Sequence, residues 1–379
     1  MTTDIQGYCD EKFAAIRTVL ADSLESGADL GVSFAATVNG EMVVDLWGGH
    51  LDEEKTQPWQ ENTIVNVYST TKTMSFLCAL VLADRGQLDF DAPVASYWPE
   101  FAANGKADVP VWHLMNHAAG LSGIDEPTET ADLYDWDKIC GLLAAQKPWW
   151  EPGSATGYHA LTQGYLIGEV VRRISGKSIG QFFQDEIAAP LQADFFIGVP
   201  ASEFHRIGNL IPPGGGNARL AVPGDPQSIA NRTFANPAAG ALESRTEAWR
   251  KAEIPAANGH GNARSVARLQ APLACGGEAF GVRLMSPETA AAVMQSRISG
   301  TDLVLGVPAS FGLGFGLNNP AAPLSPNANT CYWGGWGGSV ILVDQDARAT
   351  VSFVMNKMHQ GLVGDMRSAN LVKAFYEAL

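Results

Sequence analysis

The spacing of apolar positions changes twice within the first fifty residues. Over residues 10–25, Phe13, Ile16, Leu20 and Leu24 recur at three- and four-residue steps, which predicts an amphipathic helix. GVSFAATV and EMVVDLW then flank Asn39-Gly40, a pair that favours a two-residue hairpin because both positions tolerate positive φ. The far end of the chain repeats the theme. Residues 339–343 and 350–355 bracket DQDA, and a terminal helix carrying Leu371, Val372, Phe375 and Leu379 follows. Two antiparallel hairpins at opposite ends, each beside a helix, predict one sheet assembled from both termini.

The middle reads differently. TMSFLCALVLADRG is apolar on almost every face, so it predicts a fully buried helix, with Gly86 as the left-handed residue that ends it. A second helix is predicted over 161–175, stopping at Gly176. Between about 197 and 262 the chain turns rich in Pro, Gly and Asn, and loops of that length usually form binding walls. No internal repeat or low-complexity linker divides the chain. The expected architecture is α+β, a single unit over 1–379. Its sheet part covers about 1–65 and 300–379, and a mostly helical part with substrate-lining loops covers about 66–299.

Composition narrows the function classes. The chain has 379 residues, 46% hydrophobic and 17% charged, with a formal net charge of −15. An acidic surface repels polyanions, so a nucleic-acid partner is not expected. No segment has the apolar length of a membrane helix, and the N-terminus lacks a basic start followed by an apolar run. Cys9, Cys78, Cys140, Cys275 and Cys331 are odd in number and scattered, which suits reduced thiols in a cytoplasmic protein.

Three segments carry candidate chemistry. Ser69-Thr70-Thr71-Lys72 lies between an extended stretch, IVNVY, and the buried helix. Residues three apart share a helix face, so the Lys72 amine can reach the Ser69 hydroxyl. The free N–H groups of a helix start also favour a developing oxyanion. A helix cap would explain Ser69 alone. It would not explain Lys72, because burying a charge is costly and shifts its pKa instead. Tyr158 follows a Pro/Gly turn and precedes the helix of 161–175. A neighbouring ammonium would favour its phenolate, although a lone tyrosine is more often packing. Third, Tyr332-Trp333-Gly334-Gly335-Trp336-Gly337-Gly338-Ser339 runs into an apolar strand. Its glycines admit close approach to the backbone, so an edge strand there would offer an N–H to an oxyanion and an aromatic wall to a substrate.

Ser69-x-x-Lys72, then Tyr158, then a strand motif with Gly335 third, resemble in order and spacing the serine β-lactamase and penicillin-binding-protein superfamily. VDLWGGH, LMNHAAGLSG, PGSATGYHALTQGYLIGEVV, IPAANGHGNARSVARL and WGGWGGS with FVMNKM extend the likeness over most of the chain. The esterase branch, the family VIII carboxylesterases similar to class C β-lactamases, fits best. The resemblance implies a β-lactamase/transpeptidase-like fold and acyl-enzyme chemistry without metal, and no cofactor is expected. It implies Ser69 as nucleophile, Lys72 holding the proton network and Tyr158 as general base. The oxyanion hole would be the N–H groups of Ser69 and Trp336, with Trp333, Gly334 and Gly335 binding substrate.

Departures from the lactamase pattern point toward the substrate. Where lactamases carry Lys-Thr-Gly, this chain has Trp333-Gly334-Gly335, and Ala160 stands in the usual asparagine place. Both losses remove polar anchors for an anionic amide. Hydrolysis of small, short-acyl esters is therefore expected, with weak β-lactam opening, and a β-lactamase or acyltransferase using the same residues is the alternative. Spacing does not set the oligomeric state.

Other motifs read as structure. Gly176-Lys177-Ser178-Ile179-Gly180 spells a hydrolase elbow but follows a helix rather than a strand, so Gly176 and Ser178 are expected to be caps. His113 and His117 lack a third metal ligand. Gly214–Gly216 lacks the Lys-Ser/Thr of a phosphate loop.

Overall fold

The computed structural model describes residues 4–379 apart from 215, 222, 223, 322 and 363. Strands β1 (Gln6–Cys9), β2 (Gly31–Val38) and β3 (Glu41–Gly49) come from the N-terminal end. The C-terminal part supplies β9 (Ile298–Thr301), β10 (Pro308–Phe311), β11 (Gly316–Leu317), β12 (Thr330–Gly334), β13 (Val340–Asp344) and β14 (Ala349–Met355). They form a nine-stranded sheet in the order β1-β3-β2-β14-β13-β12-β11-β10-β9. Every pairing is antiparallel. The two ends of the chain meet where β2 pairs with β14, with Phe34 opposite Phe353. Asn39 (φ 53°) and Gly40 (φ 78°) both take positive φ and close the first hairpin as the dipeptide predicts.

Both faces of the sheet are covered. Helix α1 (Ala15–Glu25) and the terminal helix α11 (Met366–Ala378) pack together on one side, where Phe353 meets Arg367. Helix α9 (Ala263–Ala274) packs on the other. There Thr350 Oγ1 donates to Ala267 O at 3.1 Å and Ser33 Oγ accepts from Ala263 N–H at 3.0 Å. Thr350 and Phe353 lie an odd number of residues apart on one strand, so they point to opposite faces.

Between β3 and β9 runs the helical part. It contains α2 (Lys72–Asp84), α3 (Val111–Met115), α4 (Trp136–Ala145), α5 (Thr162–Ser175), α6 (Ile179–Phe183), α7 (Ile229–Ala235), α8 (Glu247–Lys251) and α10 (Pro287–Ala292), besides α9. A small sheet joins β4 (Val65–Asn66), β6 (His260–Gly261) and β5 (Phe195–Phe196), and β7 (Glu278–Ala279) pairs with β8 (Val282–Arg283). Helix α2 is buried over nearly its whole length, as its all-round apolar pattern requires, and packs against α5 and α6. Gly86 follows it at φ 70° and Gly176 ends α5 at φ 72°.

Strand β12 is an interior strand, not the edge strand expected. Its partner β11 is only two residues long, however, and reaches only Cys331 and Tyr332. Trp333 and Gly334 therefore have an unpaired side, which leaves the following turn free to approach α2.

Candidate active site

Ser69 stands in a tight 3₁₀ turn, Tyr68–Thr71, immediately before α2. Val67 N–H donates to Gly259 O at 2.9 Å and Asn66 Nδ2 to Ala257 O at 2.7 Å, so the turn is fastened to the segment before β6. Tyr68 is held at φ 44°, a left-handed conformation uncommon for a bulky residue. No local sequence signal marks that strain.

The structure brings Ser69, Lys72 and Tyr158 into mutual contact. Ser69 Oγ lies 2.5 Å from the Tyr158 hydroxyl, and Lys72 Nζ lies 3.1 Å from each. Nζ also donates to Ala160 O at 2.7 Å and Ala256 O at 2.9 Å. All three side chains are buried, Lys72 almost completely. No carboxylate hydrogen-bonds to the lysine among the described residues, and burial alone holds its pKa well below the ordinary value. Tyr158 moves the opposite way. Burial pushes its phenol up, the Ser69 hydrogen bond pulls it down, and the Asp302 charge adds to the rise. Against the expectation that an ammonium draws out a phenolate, burial thus pushes both groups toward their uncharged forms.

Four oxygens surround Lys72 Nζ: the carbonyls of Ala160 and Ala256 and the hydroxyls of Ser69 and Tyr158.

Tyr158 is fixed from behind. Its N–H donates to Asp302 Oδ1 at 3.0 Å, and Gly157 N–H donates to His117 O at 2.9 Å. His117 Nδ1 accepts from His159 N–H at 3.0 Å, so this histidine serves the tyrosine loop. No group of three or more His, Cys, Asp or Glu side chains with metal-binding geometry occurs among the described residues. Gly176 ends α5 and Ser178 Oγ caps α6 by accepting from Gln181 N–H at 3.2 Å. Of the glycines 214–216, Gly215 lies outside the described residues.

After β12, Gly335 N–H donates to Ser339 O at 2.8 Å and Gly338 N–H to Gly335 O at 3.1 Å, closing a turn that carries Trp336. A Cβ on Gly335 would lie 2.1 Å from Val67 O, so only glycine lets this turn settle against the Ser69 segment. Trp333 does not line the cavity at Ser69. It packs behind Tyr158, between His117, Phe76 and Phe311, and neither Gly334 nor Gly335 lines the cavity either.

The cavity at Ser69 measures about 50 Å³. Ser69, Tyr158, Trp336 and Ala160 border it, and Tyr68, Trp249, Leu161, Leu220 and Phe234 supply apolar walls. The Pro/Gly-rich stretch thus provides several of the walls. Helix α7 is latched in place: Ser122 Oγ and Thr233 Oγ1 are 2.7 Å apart, Arg232 pairs with Asp125 at 2.6 Å, and its guanidinium stacks 3.9 Å over Trp149. Phe234 and Trp249 were not identifiable from sequence, since nothing local separates a wall aromatic from a core one.

The Beta-lactamase family profile matches residues 16–374. The chain belongs to the beta-lactamase family. Esterase/beta-lactamase LipL of Mycobacterium tuberculosis is 33% identical over 375 residues, covering 94% of this chain and 86% of LipL. A solved family VIII carboxylesterase superposes with a TM-score of 0.93 at 42% identity, over 99% of this chain and all of that one. A penicillin-binding-protein homologue from Caulobacter crescentus gives 0.92 at 39% identity over the full length of both chains. Within the beta-lactamase family, these likenesses place the chain beside esterases, and the β-lactamase/penicillin-binding-protein fold read from the sequence holds.

Proposed function

We propose that this beta-lactamase-family chain hydrolyses short-acyl carboxylic esters through an acyl-enzyme on Ser69. The observation that carries the reading is the buried contact of Ser69, Tyr158 and Lys72 beside a small apolar cavity, with burial holding the lysine's pKa well below its ordinary value. Ser69 Oγ attacks the ester carbonyl carbon while its proton passes to Lys72, directly or by exchange through the Tyr158 hydroxyl. The oxyanion meets the N–H groups of Ser69 and Trp336, a contribution of about 3 kcal/mol per donor in comparable sites. The C–O bond to the alcohol then breaks and the leaving oxygen takes a proton from Tyr158, which recovers one from Lys72, so both groups return to their starting state. Water repeats the sequence to release the acid.

The esterase names of LipL and of the family VIII neighbour support an ester substrate. So does the absence of a cation at Trp333 and of an amide at Ala160, the polar anchors of β-lactam recognition. Weak β-lactam opening remains within reach of the same residues. A small ester is the partner proposed. The net charge of −15 disfavours nucleic acid, and no described helix is long and apolar enough to cross a membrane. Five free cysteines suit a reducing, cytoplasmic setting.

The test compares p-nitrophenyl esters with a cephalosporin on the wild type and on Ser69→Ala. Higher kcat/KM for the cephalosporin would overturn the ester reading. Mass spectrometry after a fluorophosphonate should place the adduct on Ser69; an adduct on Ser178 would overturn the site.

A further inference from the structure

We propose that Ser339 is a positioning residue that sets the separation between the two oxyanion donors, the N–H groups of Ser69 and Trp336. The inference rests on the oxyanion hole proposed above. The two donors come from different parts of the fold, the turn before α2 and the turn after β12, and no chain connectivity fixes their spacing.

Ser339 joins them through side-chain bonds. Its buried hydroxyl donates to Val67 O at 2.9 Å and lies 2.9 Å from Thr70 Oγ1, which donates to it. Val67 and Thr70 flank Tyr68-Ser69, so one hydroxyl grips the nucleophile segment on both sides. Through its carbonyl, Ser339 also accepts from Gly335 N–H and closes the turn that carries Trp336. The far side of that turn is held independently, by Arg367 Nη2 and His359 N–H donating to Gly337 O at 2.8 and 2.9 Å. Loss of the Ser339 hydroxyl therefore frees the turn only on the side facing Ser69. A displacement well under an ångström there misaligns two N–H groups that must converge on one oxygen.

The experiment uses Ser339→Ala and Thr70→Val with p-nitrophenyl butyrate and with a trifluoromethyl ketone, whose serine adduct carries a hemiketal oxyanion. Ser339→Ala should lower kcat on the order of 10- to 100-fold with KM within about twofold, because the interaction is made in the transition state. Ketone affinity should fall by a similar factor. Thr70→Val should show a smaller loss, and the double variant should be no worse than Ser339→Ala, as expected of two groups acting in one chain. If Ser339→Ala keeps wild-type kcat or ketone affinity while Ser69→Ala is inactive, the positioning role is overturned and the esterase site stands. If Ser69→Ala stays active, the site itself is overturned. Should Ser339→Ala fail to fold, Thr70→Val decides, and unchanged ketone affinity there refutes the role.

Discussion

Replacing Phe234 by alanine should move the acyl-length preference of this enzyme. The cavity beside Ser69 is small, about 50 Å³, so a short acyl chain should fill it. A chain longer than that must displace a wall. Phe234 is that wall on the α7 side, 8% exposed and bordering the cavity with Leu220 and Pro237. Truncation to Ala removes six ring carbons and leaves the latch of Arg232 on Asp125 and Trp149 in place.

Each methylene newly buried contributes about 0.8 kcal/mol, a factor of roughly four in kcat/KM. Four methylenes, from butyrate to octanoate, amount to about 3 kcal/mol or roughly 200-fold at most. Ordering the longer chain offsets part of this, so the octanoate-to-butyrate ratio should rise between about 10- and 100-fold. The assay is kcat/KM for p-nitrophenyl acetate, butyrate, hexanoate and octanoate, with Tm measured alongside. The truncation should cost up to about 3 kcal/mol of stability, the low end for phenylalanine, because the ring borders an existing cavity. A ratio unchanged in a folded Phe234→Ala variant refutes Phe234 as the limit on acyl length.

Tyr158→Phe should lower kcat by about 10²- to 10⁴-fold with little change in KM, since it removes a proton-transfer group and no binding contact; wild-type kcat would leave Lys72 as sole acceptor. Because burial depresses Lys72, kcat/KM should still be high well below pH 10 and fall on the acid side as the amine protonates; a profile that rises only above pH 10 contradicts a neutral lysine. Gly335→Ala, whose Cβ would sit 2.1 Å from Val67 O, should push the Trp336 turn away and reduce kcat on the order of 100-fold, checked by the same ester assay. Acid should unfold the protein early. His159 and His260 are buried neutral with pKa values pushed down to about 3, and His113 to about 4. Below pH 6.5 the unfolded chain binds protons that these folded-state rings refuse. The histidine contribution should thus be constant above pH 6.5 and fall by roughly 1.4 kcal/mol per histidine per pH unit between 6.5 and 4, on top of the loss from Lys72, whose depressed pKa lowers stability as pH falls below 10.5. Urea midpoints from pH 7.5 to 4.5 check this, and a flat series contradicts it.

The legible parts were those whose physics is local or periodic. Alternation and Asn39-Gly40 mark the N-terminal hairpin, and an all-round apolar run marks α2. Ser69, Lys72 and Tyr158 stand out in the sequence because their order along the chain is distinctive, though 86 residues separate Lys72 from Tyr158. What remained hidden depends on pairing at a distance. The short length of β11, which frees the end of β12, leaves no trace in the Trp-Gly motif. A glycine-rich neighbourhood suggests access at Trp333, whereas Phe76, His117 and Phe311 pack around it, which the motif does not show. The direction of the Tyr158 shift does not follow from the sequence, which shows a lysine nearby and not how dry the site is.

That dryness bears on how the chemistry is driven. A neutral Lys72 beside Ala160 O and Ala256 O is already surrounded by acceptors suited to an ammonium. When Ser69 gives up its proton, positive charge appears on Nζ against two carbonyl dipoles. At the same moment, negative charge appears on the ester oxygen against the proposed N–H donors of Ser69 and Trp336. Both sets of dipoles are oriented before the reaction, so the charge-separated state needs little reorganisation, and low local polarity strengthens each contact. The resting site gains nothing from a charged substrate, because none of the described residues lining the cavity is a cation that could meet a carboxylate. An uncharged ester enters without losing ionic hydration and meets a strong field only as its carbonyl is attacked. Selection for transition-state charge over ground-state charge is what separates this site from one built around a lysine at the Trp333 position.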